Sequence, residues 1–176
     1  VAPNHFPTSV RELGEAVAYI REHAAEWKVD PAKIIVCGSS AAGHLACSLG
    51  VFWDNELVYD AIGRTPAQIR PDGLILCYPV ITGGEYAHVN SFKRLLGDDV
   101  TQEQRDAVSL ENFVTEQTPR AFIWHTYTDE NVPVENSLLL AAAMKRKNVN
   151  FELHIYPTGG HGLSLADEET AGNGFQ

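Results

Sequence analysis

Three residues of this chain, Ser40, Asp129 and His161, have the types and the order that nucleophilic acyl chemistry requires. A serine hydroxyl is a weak nucleophile until a histidine takes its proton, and the histidine needs a carboxylate to hold its tautomer and stabilise the imidazolium. Ser40 stands in Gly38-Ser39-Ser40-Ala41-Ala42-Gly43, directly after the strand-like run Ile34-Ile35-Val36-Cys37 and directly before a helix-forming stretch. This is how a nucleophile elbow is spelled: a serine on a strained strand-to-helix turn needs near-glycine neighbours two positions to either side. Gly38 meets that need. Ala42 approximates it, and its methyl is expected to tighten the turn. The helix behind the turn offers free N–H groups at its positive dipole end, which makes the Ala41 N–H the first candidate for an oxyanion donor. Short Gly/Ser/Ala runs also occur in phosphate-binding loops and plain turns, so the other two residues must carry the distinction.

A serine on such an elbow is followed along the chain by its acid and then its base. Ala121-Phe122-Ile123-Trp124-His125-Thr126 reads as a mostly apolar strand, and Asp129 follows it on the loop edge where parallel sheets keep their sites. Glu130 competes as its neighbour, and Asp129 would alternatively cap a helix opened by Pro133. Phe151-Glu152-Leu153-His154-Ile155-Tyr156 alternates as an edge strand with one wet face, and Pro157-Thr158-Gly159-Gly160-His161-Gly162 places His161 on a pliant loop. The alternative for His161 is an exposed loop histidine, which its position behind the other two pieces disfavours. His44, one helical turn after Ser40, reads as a packed or helix-surface histidine, and His125 as a hydrogen-bonding support for the Asp129 loop.

The elements that must hold these residues alternate. Ser9 and Glu12 have capping-box spacing, and Val10, Leu13, Val17, Ile20, Ala24 and Trp27 give one apolar helical face. After Asp30-Pro31 comes the elbow strand, then a helix over 41–53. The stretch 54–72, polar and broken by Gly63, Pro66 and Pro71, reads as a loop. The apolar run 73–80 suits a parallel strand buried under helices on both faces. The excursion 82–118, with a short helix after Thr101, is where substrate selectivity is expected, and its carboxylates read as a solvated face. A helix over 133–147 ends on Lys145-Arg146-Lys147, the dipole-favoured end. Four strands alternating with helices predict an α/β fold with a parallel sheet in a single domain spanning 1–176.

Composition narrows the function classes. With 13 Lys and Arg against 23 Asp and Glu, the formal net charge of −10 opposes phosphate backbones and anionic membrane surfaces, so no nucleic acid or membrane partner is expected. No apolar run approaches the ~20 residues of a membrane helix. Cys37, Cys47 and Cys77 read as small buried hydrophobes, and they favour a cytoplasmic location only as reduced thiols would. No cysteine pair has zinc-finger spacing and the seven histidines contain no HExxH, so neither a metal nor a cofactor is expected.

Together these segments resemble an α/β-hydrolase, and more closely the esterase/lipase group that includes acetyl esterases and acetylxylan esterases. The likeness runs through Gly38-Ser39-Ser40-Ala41-Ala42-Gly43-His44-Leu45-Ala46, Tyr78-Pro79-Val80-Ile81, Trp124-His125-Thr126 with Asp129, and Gly159-Gly160-His161-Gly162-Leu163. The resemblance implies Ser40 as nucleophile, Asp129 as acid and His161 as base of a serine carboxylesterase. It implies a small-molecule or carbohydrate ester as substrate, with a short acyl group such as acetyl on a sugar or xylan fragment. Two departures stand out: Ala42 replaces the group's usual glycine, and the Gly-rich loop that supplies a second oxyanion donor does not precede Ser40. Val1-Ala2-Pro3-Asn4-His5-Phe6-Pro7 resembles the group's connection into the helix before the elbow strand. The chain therefore reads as the second half of the full fold, which leaves the elbow strand unpaired on one side. Either a missing N-terminal segment, which would also hide any signal peptide, or self-association into a homo-oligomer is expected. The alternatives are a serine peptidase of the prolyl-oligopeptidase kind, disfavoured because Ala41 stands where such elbows carry an aromatic, and a truncated hydrolase acting as a non-catalytic binding module.

Overall fold

Strands rich in β-branched and aromatic residues pair without a break in a computed structural model that describes residues 5–164, 166 and 167. β1 (Ile35–Ser39), β2 (Gly73–Cys77), β3 (Ala121–Thr126) and β4 (Phe151–Tyr156) form a four-stranded sheet in the order β1-β2-β3-β4, every pair parallel. Parallel neighbours need crossovers, and the helices supply them: α3 (Ser40–Phe52) after β1 and α8 (Glu135–Arg146) between β3 and β4. α1 (Thr8–Glu22) leads in and packs on α3 and on two short helices, α4 (Glu56–Tyr59) and α5 (Pro66–Ile69). The architecture is the expected α/β one, with β1 at a free edge among the described residues. The ends of the proposed 1–176 domain, including residues 1–4 of the opening stretch, lie outside the described residues.

Strand periodicity sorts side chains into two faces. Val36, Leu74 and Ala121 are in register, as are Gly38, Leu76 and Ile123, and these buried rows join Val17, Leu49, Leu140 and Met144 in the main core. The opposite face carries Cys37, Ile75, Phe122 and Glu152 in one row and Ser39, Cys77, Trp124 and His154 in the next. There Ile35 is 45% exposed and Phe122 36%. The expectation of helices on both faces is thus corrected: among the described residues one face is covered. Cys37 is exposed and Cys77 half-buried for the same reason, and only Cys47 is a buried hydrophobe, its thiol pushed up by burial.

Other differences are local. α1 begins on Pro7 rather than at a Ser9–Glu12 box, with no side-chain cap, and breaks at His23 before α2 (Ala24–Trp27). Arg21 fixes it by donating to the carbonyls of Pro31, Gln68 and Arg70 and pairing with Asp72 at 3.0 Å, while the Asp72 carboxylate also accepts the Ile34 N–H. The stretch 54–72 is not a plain loop. Asn55 caps α4 (Glu56–Tyr59), a 3₁₀ turn follows, and a Thr65–Gln68 capping box opens α5 (Pro66–Ile69). The excursion after β2 holds α6 (Val89–Leu96) and, after Thr101 as expected, α7 (Gln102–Asp106). Phe92 of α6 seals a second core with Val80, Val108 and Val132, directly beneath the loop ends of the sheet.

Candidate active site

The run of β1 stops because Ser40 adopts a φ of 53°, the left-handed region that a residue with a side chain enters only under constraint. That conformation lifts its hydroxyl off the sheet edge at the start of α3. A Cβ on Gly38 would lie 2.1 Å from the Ala42 carbonyl oxygen, so only glycine fits two positions before the serine. Two positions after it, Ala42 is exposed. From Ser40 the geometry continues without a gap. Its Oγ is 2.7 Å from His161 Nε2, and His161 Nδ1 is 2.7 Å from Asp129 Oδ2. Residues separated by up to 121 positions are thereby brought into one hydrogen-bonded line.

Asp129 is buried behind His161 and fully furnished with donors. Its Oδ1 accepts the N–H groups of Asn131 and Val132, both at 3.0 Å, and His125 Nε2 lies 3.3 Å from Oδ2. It does not cap α8, whose first turn has no side-chain cap, and its neighbour Glu130 is exposed. Burial alone would raise this carboxyl. The hydrogen bonds from His125, His161 and the two backbone N–H groups outweigh it and hold Asp129 well below the usual carboxylate range. His125 is itself fixed, with Ser137 Oγ at 2.8 Å from Nδ1 and the Val132 carbonyl at 2.9 Å from Nε2, in the supporting role expected of it.

The His161 loop is fastened to the end of β3. The Thr126 and Thr128 hydroxyls both donate to the Gly159 carbonyl at 3.0 Å, and the Gly159 N–H returns a bond to Thr128 Oγ1. Gly159 has a φ of 148° and its missing Cβ would meet Thr126 at 2.6 Å, so glycine is required where the loop crosses the strand. Ala41 directly follows Ser40 in the first turn of α3, where N–H groups have no partner within the helix.

Beside this line a cavity of about 170 Å³ opens, walled by Ala41, His44, Val80, Phe92 and Leu95, with Ser91 and Arg94 adding polar groups. His44 is a packed histidine: its Nε2 donates to the Val108 carbonyl at 3.0 Å, Phe92 meets its ring edge-on, and burial pushes its pKa down to about 4. Sequence reasoning placed selectivity in this excursion without naming Ser91, Phe92 or Arg94. The spacing of Val89, Phe92 and Leu96 was the available signal for α6. Tyr78 was also missed; its ring centroid stands 5.1 Å from that of His161.

The BD-FAE family model matches residues 1–144. Endo-1,4-beta-xylanase B of Butyrivibrio fibrisolvens is 41% identical over 164 residues, 91% of this chain and 25% of that protein. The acetylxylan esterase of Xylanibacter ruminicola is 29% identical over 89% of this chain and 31% of that protein. The crystal structure of an acetyl ester-xyloside bifunctional hydrolase from Caldicellulosiruptor lactoaceticus superposes with a TM-score of 0.84 at 42% identity, covering 97% of this chain and 62% of that one. A carboxylesterase from Lactobacillus plantarum superposes at 0.80 with 28% identity, again over 62% of its length. The chain therefore spans less than two thirds of each of these proteins. With the elbow, the parallel sheet and the serine–histidine–aspartate line all in place, the chain belongs to the BD-FAE family and has the fold of an α/β-hydrolase.

Proposed function

We propose that this chain carries the catalytic residues of a serine carboxylesterase that removes short acyl groups, acetyl above all, from sugar or xylan esters. The observation that carries the reading is the unbroken line from Ser40 Oγ through His161 to Asp129 Oδ2, with 2.7 Å at each step. In the tautomer this line favours, His161 Nδ1–H donates to Asp129 and Nε2 accepts the Ser40 proton. Ser40 Oγ then attacks the ester carbonyl, and the oxyanion takes the Ala41 N–H. His161 returns the proton to the departing alcohol, and a water molecule activated by the same imidazole releases the acid and restores Ser40. Asp129 stays ionised throughout because its donors stabilise the carboxylate, so it orients and compensates charge without taking the proton. The modest cavity beside Ala41 favours a short acyl chain. The relatives named for xylan and acetyl esters favour the sugar ester.

The test is hydrolysis of p-nitrophenyl acetate by the 176-residue chain beside Ser40→Ala, with longer acyl esters and a matched amide. A Ser40-dependent rate at least ~10³-fold above the variant, falling with acyl length, is the expected result. Equal rates in both proteins would defeat the reading, and a preference for the amide would replace it with peptidase chemistry.

A further inference from the structure

We propose that Tyr78 is a positioning residue for the catalytic line, holding the His161 imidazole in place from one side while the two residues that follow it, Pro79 and Val80, brace the serine elbow from below. The inference rests on the proposed esterase reading for its consequence in turnover, and on geometry for its substance. Tyr78 directly follows β2 and has a φ of 38°, which for a bulky side chain is an outlier that only a surrounding structure can maintain. Three contacts maintain it. Its N–H donates to the Trp124 carbonyl at 2.7 Å, continuing the β2–β3 ladder past the last paired residue of β2. Tyr78 is 4% exposed, and its ring meets Trp124 edge-on at 5.0 Å. Its hydroxyl oxygen accepts the Ser164 N–H at 2.9 Å, three residues beyond His161.

The reversal at Tyr78 points its ring at the base. The two ring centroids are 5.1 Å apart at 74°, an edge-to-face contact that blocks rotation of the imidazole away from Ser40. The same reversal turns the following residues under the elbow. The Val80 N–H donates to the Ser40 carbonyl at 3.1 Å, and Pro79 lies so close to Gly43 that a Cβ there would sit 2.7 Å from it. Residues 78–80 thus touch both the nucleophile's turn and the base's loop. A strained residue at this junction fixes the Ser40–His161 separation. Misplacement of a reacting group by about 1 Å costs up to ~10²-fold in rate.

The experiment compares wild type with Tyr78→Phe, which keeps the ring and loses the Ser164 contact, and with Tyr78→Leu, which loses both. The readouts are kcat and KM for p-nitrophenyl acetate, the rate of Ser40 labelling by a fluorophosphonate, thermal melting, and the proton resonance of His161 Nδ1–H. The expected result is a kcat about 10-fold lower in Tyr78→Phe and up to ~100-fold lower in Tyr78→Leu. KM should stay within about twofold, and labelling should slow in parallel. Tyr78→Phe should melt within a few degrees of wild type, with the Nδ1–H resonance broadened by faster exchange. Wild-type kcat, labelling and resonance in both variants would overturn the proposal. If wild type itself neither turns over nor labels, the esterase reading fails, and the proposal for Tyr78 then stands or falls on the His161 resonance alone.

Discussion

Asp129 and His44 are two buried titratable groups that the fold treats in opposite ways. Asp129 is kept charged by four donors, so the NH2 group of an amide substitute would face a donor instead of an acceptor. Asp129→Asn should lower kcat for p-nitrophenyl acetate by about 10⁴, because an amide presents the wrong hydrogen-bonding edge to His161. Steady-state kinetics would reveal a smaller role if the loss were under tenfold. The depressed carboxyl also makes a stability statement. Its contribution is present above the unfolded value near ~3.9 and is lost as pH falls toward the folded one. His44 acts at milder acidity. Its imidazole, pushed down to about 4 by burial, refuses a proton that the unfolded chain accepts from about pH 6.5 downward. Stability should therefore fall between those values by on the order of 3 kcal/mol. In urea titrations His44→Gln should lose less stability from pH 7 to 4.5 than wild type, by on the order of 2 kcal/mol; an identical loss would remove His44 as the cause. Ser40, Asp129 and His161 were legible in the sequence because chemistry dictates their types and their order along the chain. Tyr78 was not, since a tyrosine at the end of an apolar run looks like one more strand residue until its φ is known.

At the scale of elements, the elbow is a steric solution with one strict side. Gly38→Ala places a methyl against the Ala42 carbonyl at 2.1 Å, and should cost about 3 kcal/mol in chemical denaturation along with most of the activity. Ala42→Gly should change kcat by less than about twofold, because Ala42 is exposed. Equal effects at the two positions would mean that the clash is relieved by movement of α3. β1, β3, β4, α3 and α8 were readable from period and apolar content. α4 and α5 were hidden because helices this short carry little periodicity, although Asn55 and the Thr65–Gln68 pair were the visible signs of their caps. β2 ends at Cys77 rather than at Val80, since the continuous apolar run records burial and not conformation: Val80 and Ile81 are buried beneath the loops instead of in the sheet.

At the scale of the whole molecule, the dominant feature is a sheet with one helix-covered face and one face of Ile35, Ile75, Phe122 and Trp124 open among the described residues. Apolar area of this kind seeks cover, and among the described residues β1 adds a free edge of backbone donors and acceptors beside it. The 176-residue chain should associate as its concentration rises, and Phe122→Glu should shift light-scattering mass back toward 19.3 kDa. A monomer at every concentration would show that this face tolerates water. The open face was not legible because its residues are as apolar as those of a covered strand, so sequence alone assigns cover to both sides. The same face has an optical consequence. Trp124, one of three tryptophans, touches Tyr78 at 5.0 Å, and Tyr78 touches His161 at 5.1 Å. The indole sits two rings from His161, the proposed base, so on the proposed mechanism its emission should register protonation of that imidazole and acylation of Ser40. Under the proposed chemistry, the molecule would carry a built-in fluorophore for the reaction of Ser40.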